Sequence, residues 1–152
     1  MQKRRPEKKA DSSVTVNTLR RKADSLGRDL VKLLHEYAHC SERLSRLRHQ
    51  QGGPLYDPET EQLAVQQALE SKKGPLPERT VRAILRELQS GVRALVKPLR
   101  VAFLGPTYSY SHLAAIERFG TGAELVPVAT IAAVFEELSR KQVDYGVVPI
   151  EN

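Results

Sequence analysis

The sequence predicts an all-helical domain of three helices followed by the opening of an α/β domain built on a parallel sheet. Apolar residues recur at heptad spacing from Val16 to Leu47. Glycine and proline punctuation divides the stretch between Gly52 and Pro98 into two shorter helical patterns. From Leu99 onward, short apolar runs alternate with short helical patterns, as in a sheet whose parallel strands are joined by helices.

Each element has its own signal. Val16, Leu19, Ala23, Leu26, Leu30, Leu33, Tyr37, Cys40, Leu44 and Leu47 form one seam, which implies a helix from about Ser13 to about Gln50. Such a helix is roughly 50 Å long at about 1.5 Å per residue. It cannot bury its seam against itself, so the seam calls for shorter helices folded back on it, a second chain, or both. Gly52-Gly53-Pro54 ends it. Asp57 is a good N-cap and Pro58 suits the first helical position of a second helix, which carries Leu63, Val65, Ala68 and Leu69 and stops at Lys72-Lys73-Gly74. Pro75 and Pro77 open a third, whose stripe is Val81, Ile84, Leu85, Leu88, Val92, Leu95 and Val96; Pro98 closes it. After Leu99, Arg100–Leu104 reads as a buried strand and Gly105-Pro106 breaks it. Ser111–Phe119 reads as a helix stopped by Gly120, Leu125–Val128 as a second strand, Thr130 as the cap of a helix to about Lys141, and Tyr145–Val148 as a third strand. Three strands and two helices bury little surface, so this half is expected to be incomplete. The expected organisation is a disordered basic tail over 1–12, a helical domain over 13–97 and the incomplete α/β domain over 98–152.

Composition sets the class. The chain has 152 residues, 40% of them apolar and 28% charged, which suits a soluble globular protein. No apolar run approaches the ~20 residues of a membrane helix, and the polar, basic start is no secretory signal. Cys40 is the only cysteine, which excludes an internal disulfide and any multi-cysteine metal site. These features together imply a cytoplasmic protein without a membrane partner. The net charge of +6 owes much to Arg4, Arg5, Lys8 and Lys9. No aromatic platform or DNA-reading motif accompanies them, so a small anionic substrate is the better reason for positive charge than nucleic acid.

Two motifs carry a resemblance. Lys97-Pro-Leu-Arg-Val-Ala-Phe-Leu-Gly-Pro106, followed by Tyr110-Ser-His-Leu-Ala-Ala115, resembles the opening of prephenate dehydratases. Asp144-Tyr-Gly-Val-Val-Pro-Ile-Glu-Asn152 resembles a second signature of that family. The helical half is similar to the all-helical class of chorismate mutases, in the order used by bifunctional chorismate mutase/prephenate dehydratases. The resemblance implies an intertwined homodimer formed through the long helix. It also implies two reactions of phenylalanine biosynthesis, an isomerase step from chorismate to prephenate and a lyase step from prephenate to phenylpyruvate, with no cofactor and no metal. The family's later Thr-Arg-Phe motif and its regulatory domain do not occur in this sequence, so the chain as it stands is not expected to dehydrate prephenate.

The residue types fit that chemistry. A loop leading from a strand into a helix N-terminus offers N–H groups and a positive dipole end to a carboxylate. Tyr108, Ser109, Tyr110 and Ser111 add hydroxyls there. By resemblance, Ser109, Ser111 and Asn152 bind substrate, with Tyr108-Ser109 standing where the family has Gly-Thr. Chorismate rearranges without a nucleophile; an enzyme need only hold its compact conformer and stabilise charge on the ether oxygen. Arg20 stands where the family has an arginine supplied by the partner chain, and Arg48 where it has a lysine that donates to the ether oxygen. Asp57 and Glu61 match the acidic residues of the family's second helix. Arg20 and Arg48 share a heptad position and lie roughly 42 Å apart along one helix. They can serve one small dianion only if two long helices run antiparallel about a two-fold axis. Four further polar positions of the family fall on Tyr37, Thr60, Val92 and Val96. The sequence therefore leaves two readings open, a working mutase using Arg20, Arg48 and Glu61, or a degenerate mutase domain kept as a dimerisation scaffold.

Overall fold

The computed structural model describes residues 15–54, 56–71 and 74–151. The basic tail over 1–12 and Asn152 lie outside the described residues. By its packing the chain divides into two compact units, one up to Tyr37 and one from Ala38 onward, so the division falls inside the first helix.

That helix, α1, runs Val16–Gln50. Thr15 caps it, its hydroxyl accepting from Thr18 N–H at 3.3 Å. Its end is set by Gly52, whose φ of 83° no other residue type adopts freely. Gly52 N–H returns to His49 O and Gly53 N–H to Arg48 O, the paired bonds of a Schellman cap. No residue of α1 is buried. In the first unit, Val16, Leu19, Leu26, Leu30 and Leu33 are each more than half exposed.

The second unit holds every other element. Helix α2 spans Pro58–Ser71 and α3 spans Glu78–Val96. Asp57 caps α2 as its sequence predicts: Thr60 N–H and the Thr60 hydroxyl donate to its two carboxylate oxygens at 3.2 and 2.6 Å. Helix α3 ends at Lys97, extended because Pro98 follows. Strand β1 is Arg100–Leu104, α4 Tyr110–Phe119, β2 Glu124–Val128, α5 Ile131–Ser139 and β3 Tyr145–Val147. Helix α4 begins one residue earlier than its pattern suggests, because Ser109 and not Tyr110 is the cap. Helix α5 stops short of Lys141, whose φ of 56° leaves the helical region.

The sheet order is β2-β1-β3 and every pairing is parallel. Strand β1 is central, and Val101, Ala102 and Phe103 are almost fully buried. Alternation along β1 sends Val101 to one face, with Leu99, Tyr56, Phe119, Leu125 and Tyr145, and Ala102 to the other, with Val134, Val126 and Leu138. Helix α4 thus covers one face and α5 the other, the doubly wound arrangement that the alternation of elements implies. Gly146 admits α5: a Cβ there would lie 2.5 Å from Val134 Cγ1 and 2.9 Å from Leu138 Cδ1.

Helix α3 joins the helices to this sheet. Ser90 and Arg93 are buried on it, although both are polar. The Ser90 hydroxyl donates to Phe119 O at 2.8 Å and accepts from Gly122 N–H at 3.0 Å. Glu87 accepts from the amide and hydroxyl of Thr121 at 3.0 and 2.7 Å. These bonds reach the last residue of α4 and the turn after it.

Candidate functional site

The residues singled out in the helical half fall into separate places. Arg20 is exposed on the part of α1 in the first unit. Arg48, in the last turn of α1, is close enough to Asp57 to help hold its carboxyl below the ordinary aspartate range. The larger causes of that shift are the hydroxyl and amide of Thr60, which both donate to Asp57. The Asp57 carboxylate is therefore occupied as a helix cap.

Glu61 is held more firmly. Arg93 Nη1 meets both of its carboxylate oxygens, at 2.6 and 2.5 Å, and Arg93 Nη2 donates to Phe119 O at 2.7 Å. The Arg93 side chain is 7% exposed and that of Glu61 25%. The guanidinium also lies over the Tyr56 ring, 4.9 Å from its centre. Tyr56 packs in turn against Phe119 and Tyr145. Burial pushes the Tyr56 phenol above its ordinary pKa, while the charge of Arg118 pulls it down. Glu61 is thus the counterion of an arginine that fastens α3 to α2 and α4. Val92 is buried and Thr60 is committed to Asp57. The helical half brings Arg48, Asp57 and Thr60 together and, apart from them, Glu61 and Arg93.

The loop between β1 and α4 is the second candidate. The Ser109 hydroxyl accepts from His112 N–H at 3.3 Å and donates to Leu104 O at 3.2 Å, so it caps α4 and pins the loop to the strand end. Ser111 is half-buried in the first turn of α4. Tyr108 has a φ of 70° and Gly105 a cis bond to Pro106. Tyr108 N–H donates to His112 Nδ1 at 3.1 Å, and its ring meets the His112 ring edge-on. Tyr108 and Tyr110 are almost fully exposed. The loop therefore presents two phenols and one serine hydroxyl at a helix N-terminus, a donor set suited to a carboxylate.

Sequence reasoning missed a third feature. A cleft of about 370 Å³ opens between α2, α3 and α4, lined by Arg79, Arg82, Arg86 and Arg118 together with Tyr56 and Glu61. The signal was available in part: Arg79, Arg82, Arg86 and Arg93 recur at spacings of three, four and seven, one face of α3 opposite its apolar stripe. Arginines on a helix ordinarily read as a solvated face, and Arg118 comes from another element altogether. Among the described residues, no group of histidine, cysteine and carboxylate side chains could hold a metal ion. No helix of the described residues is long and apolar enough to cross a membrane.

Comparison with known proteins adds two family matches: residues 19–97 match chorismate mutase type II, and residues 101–152 match prephenate dehydratase. A bifunctional chorismate mutase/prephenate dehydratase of Pseudomonas aeruginosa is 36% identical over 142 residues, 90% of this chain and 39% of that protein. One of the same description from Aquifex aeolicus is 36% identical over 138 residues, 88% of this chain and 38% of its own length. A probable prephenate dehydratase of Saccharomyces cerevisiae is 46% identical over 59 residues, 37% of this chain and 18% of that protein. The chain thus spans about two fifths of the length of the bifunctional relatives. No solved structure matches.

Proposed function

The chain belongs to the chorismate mutase type II family, and we propose that it is part of an enzyme of phenylalanine biosynthesis whose helical half serves as a dimerisation scaffold and not as a working mutase. Of the two reactions in the bifunctional relatives' names, this reading keeps the dehydratase step, prephenate to phenylpyruvate, for the protein of which the chain is part, and assigns the helical half no turnover of chorismate. The cytoplasm is the proposed location, and no cofactor enters either step. The two motifs at Lys97–Pro106 and Asp144–Asn152 support the dehydratase reading, with Ser111, Asn152 and the N-terminus of α4 as its substrate contacts and Ser109 shaping the loop through its bonds to His112 and Leu104.

One observation carries the scaffold reading: Glu61 is consumed by Arg93. Both oxygens of Glu61 meet Arg93 Nη1, so its charge is neutralised and its orientation set by a buried arginine of α3, the arrangement of a structural counterion. Losses elsewhere point the same way. Removing single preorganised donors costs about 2.7–4 kcal/mol of barrier each, and Tyr37, Thr60, Val92 and Val96 replace four such groups. The exposed apolar positions of α1 supply the surface for a second copy, through a two-fold pairing of long helices. Sedimentation equilibrium tests this. The expected result is a particle of twice the 17.0 kDa chain mass, dissociating in the variant Leu26→Glu/Leu30→Glu. A monomer at tens of micromolar (~10 μM and above, where weak helix pairs with Kd near 1 μM are assembled) would remove the proposal.

A further inference from the structure

The arginine-lined cleft between α2, α3 and α4 has no part in the reading given above. It lies on the side of α3 opposite the apolar stripe to which Val92 and Val96 belong, and Arg118 comes from the α/β half. It also lies wholly within the second compact unit.

Its charge is unbalanced. Of its two acidic lining residues, Glu61 is already neutralised by the buried Arg93, which leaves Glu117 against four guanidiniums. Arg82 has an ion pair with Glu78 at 2.7 Å, and Arg86 a looser one with Glu87 at 3.4 Å. Among the described residues, Arg79 and Arg118 have neither an ion pair nor a hydrogen bond from the guanidinium. Two uncommitted guanidiniums on different elements face one cleft, and each presents a planar fork suited to a carboxylate or phosphate. Val65 and Ala83 give the same cleft an apolar wall. Its volume of about 370 Å³ falls in the range of small-molecule sites.

The geometry points to a binding site for a small organic dianion in this cleft, with one anionic group on Arg79, the other on Arg118, and the apolar body against Val65 and Ala83. Arg82 and Arg86, already oriented by Glu78 and Glu87, add positive potential without being the principal contacts. A ligand there would bridge helices that follow different parts of the sequence, α3 and α4, at the turn where Glu87, Ser90 and Arg93 already join them.

The test is isothermal titration of the intact chain with isophthalate, benzoate and inorganic phosphate, alongside amide chemical-shift mapping. Saturable one-to-one binding of isophthalate is expected, with shifts confined to α2, α3 and α4 and benzoate binding at least about 10-fold weaker, since one charged contact is lost. Arg79→Gln and Arg118→Gln should each weaken isophthalate by a similar factor. Both residues are exposed, so the variants should keep the parent circular-dichroism spectrum. Arg140→Gln, on the far side of the sheet at the end of α5, should change nothing. Tighter binding of phosphate than of isophthalate would mean that a single anionic group without an apolar body satisfies the cleft, which contradicts the two-point site. The proposal is overturned if isophthalate does not saturate, if it binds no better than benzoate, or if Arg140→Gln weakens it as much as the cleft variants do.

Discussion

Glu61 shows how a residue's type and position can match a catalytic role while its surroundings give it a structural one. From the sequence it reads as a site acid; in the fold it neutralises a buried guanidinium. Glu61→Ala should therefore cost stability, because Arg93 would remain buried without its counterion. Breaking such pairs costs about 3–5 kcal/mol, and the partial exposure of Glu61 places the expected loss near about 3 kcal/mol by urea denaturation. A loss below about 1 kcal/mol, in the range of a surface ion pair, would count against this role. Tyr108 is the second case. Its φ of 70° is the conformation that the glycine standing there in the resembled motif adopts without penalty. Tyr108→Gly should gain about 0.5–1 kcal/mol, the relief of a left-handed side chain less the added freedom of the unfolded chain. Its two neighbours in the loop, Ser109 and Ser111, were legible as polar residues at a helix start. That Ser109 would spend its hydroxyl on the cap and on Leu104 was not, because a cap and a ligand contact ask for the same residue type.

At the scale of elements, patterning went far. The helix stops at Gly52 and Pro98 and the Asp57 cap have local causes, which are visible in sequence, and the parallel sheet was legible from the alternation of strand and helix patterns. What escaped was the second face of α3. Its apolar stripe is readable, but Ser90, Glu87 and Arg93 look like solvated positions until the turn after α4 folds onto them. Gly122 marks how close that turn comes: a Cβ there would sit 2.7 Å from Ser90 O, a backbone atom. Gly122→Ala should lower stability by about 1–3 kcal/mol, as overpacking does, read from a thermal melt. Glu87 makes the same junction pH-sensitive. Burial, the largest single influence, would raise its pKa, but the hydroxyl and amide of Thr121 together with the Arg86 guanidinium outweigh it and hold Glu87 below the ordinary glutamate value. A depressed carboxylate stabilises the fold above its unfolded pKa, about 4.3, and that contribution is lost as pH falls through the lower folded value. Acid unfolding followed by circular dichroism should be less steep in Glu87→Gln than in the parent.

For the whole molecule, the heptad seam announced that α1 needs a partner but could not say which, since folded-back helices and a second chain ask for the same apolar spacing. The first unit leaves that seam open along Leu19, Leu26, Leu30 and Leu33, and pairing of two chains is the proposed answer. The two families matched along the chain, chorismate mutase type II and prephenate dehydratase, follow one another in the order the motifs imply. The compact unit nonetheless runs across the change from helices to sheet, because α3 is bonded to the end of α4 and the turn after it. A helical half fastened in this way, with Glu61 and Asp57 committed to its own fold, is suited to holding a neighbouring catalytic unit in place. The most direct test is chorismate consumption by the intact chain, followed by ultraviolet absorbance beside an Arg20→Ala control. A retired mutase gives the same rate as the control, indistinguishable from the uncatalysed rearrangement. Turnover far above that background, abolished by Arg20→Ala, would mean that the altered pocket still works and that the scaffold role is wrong.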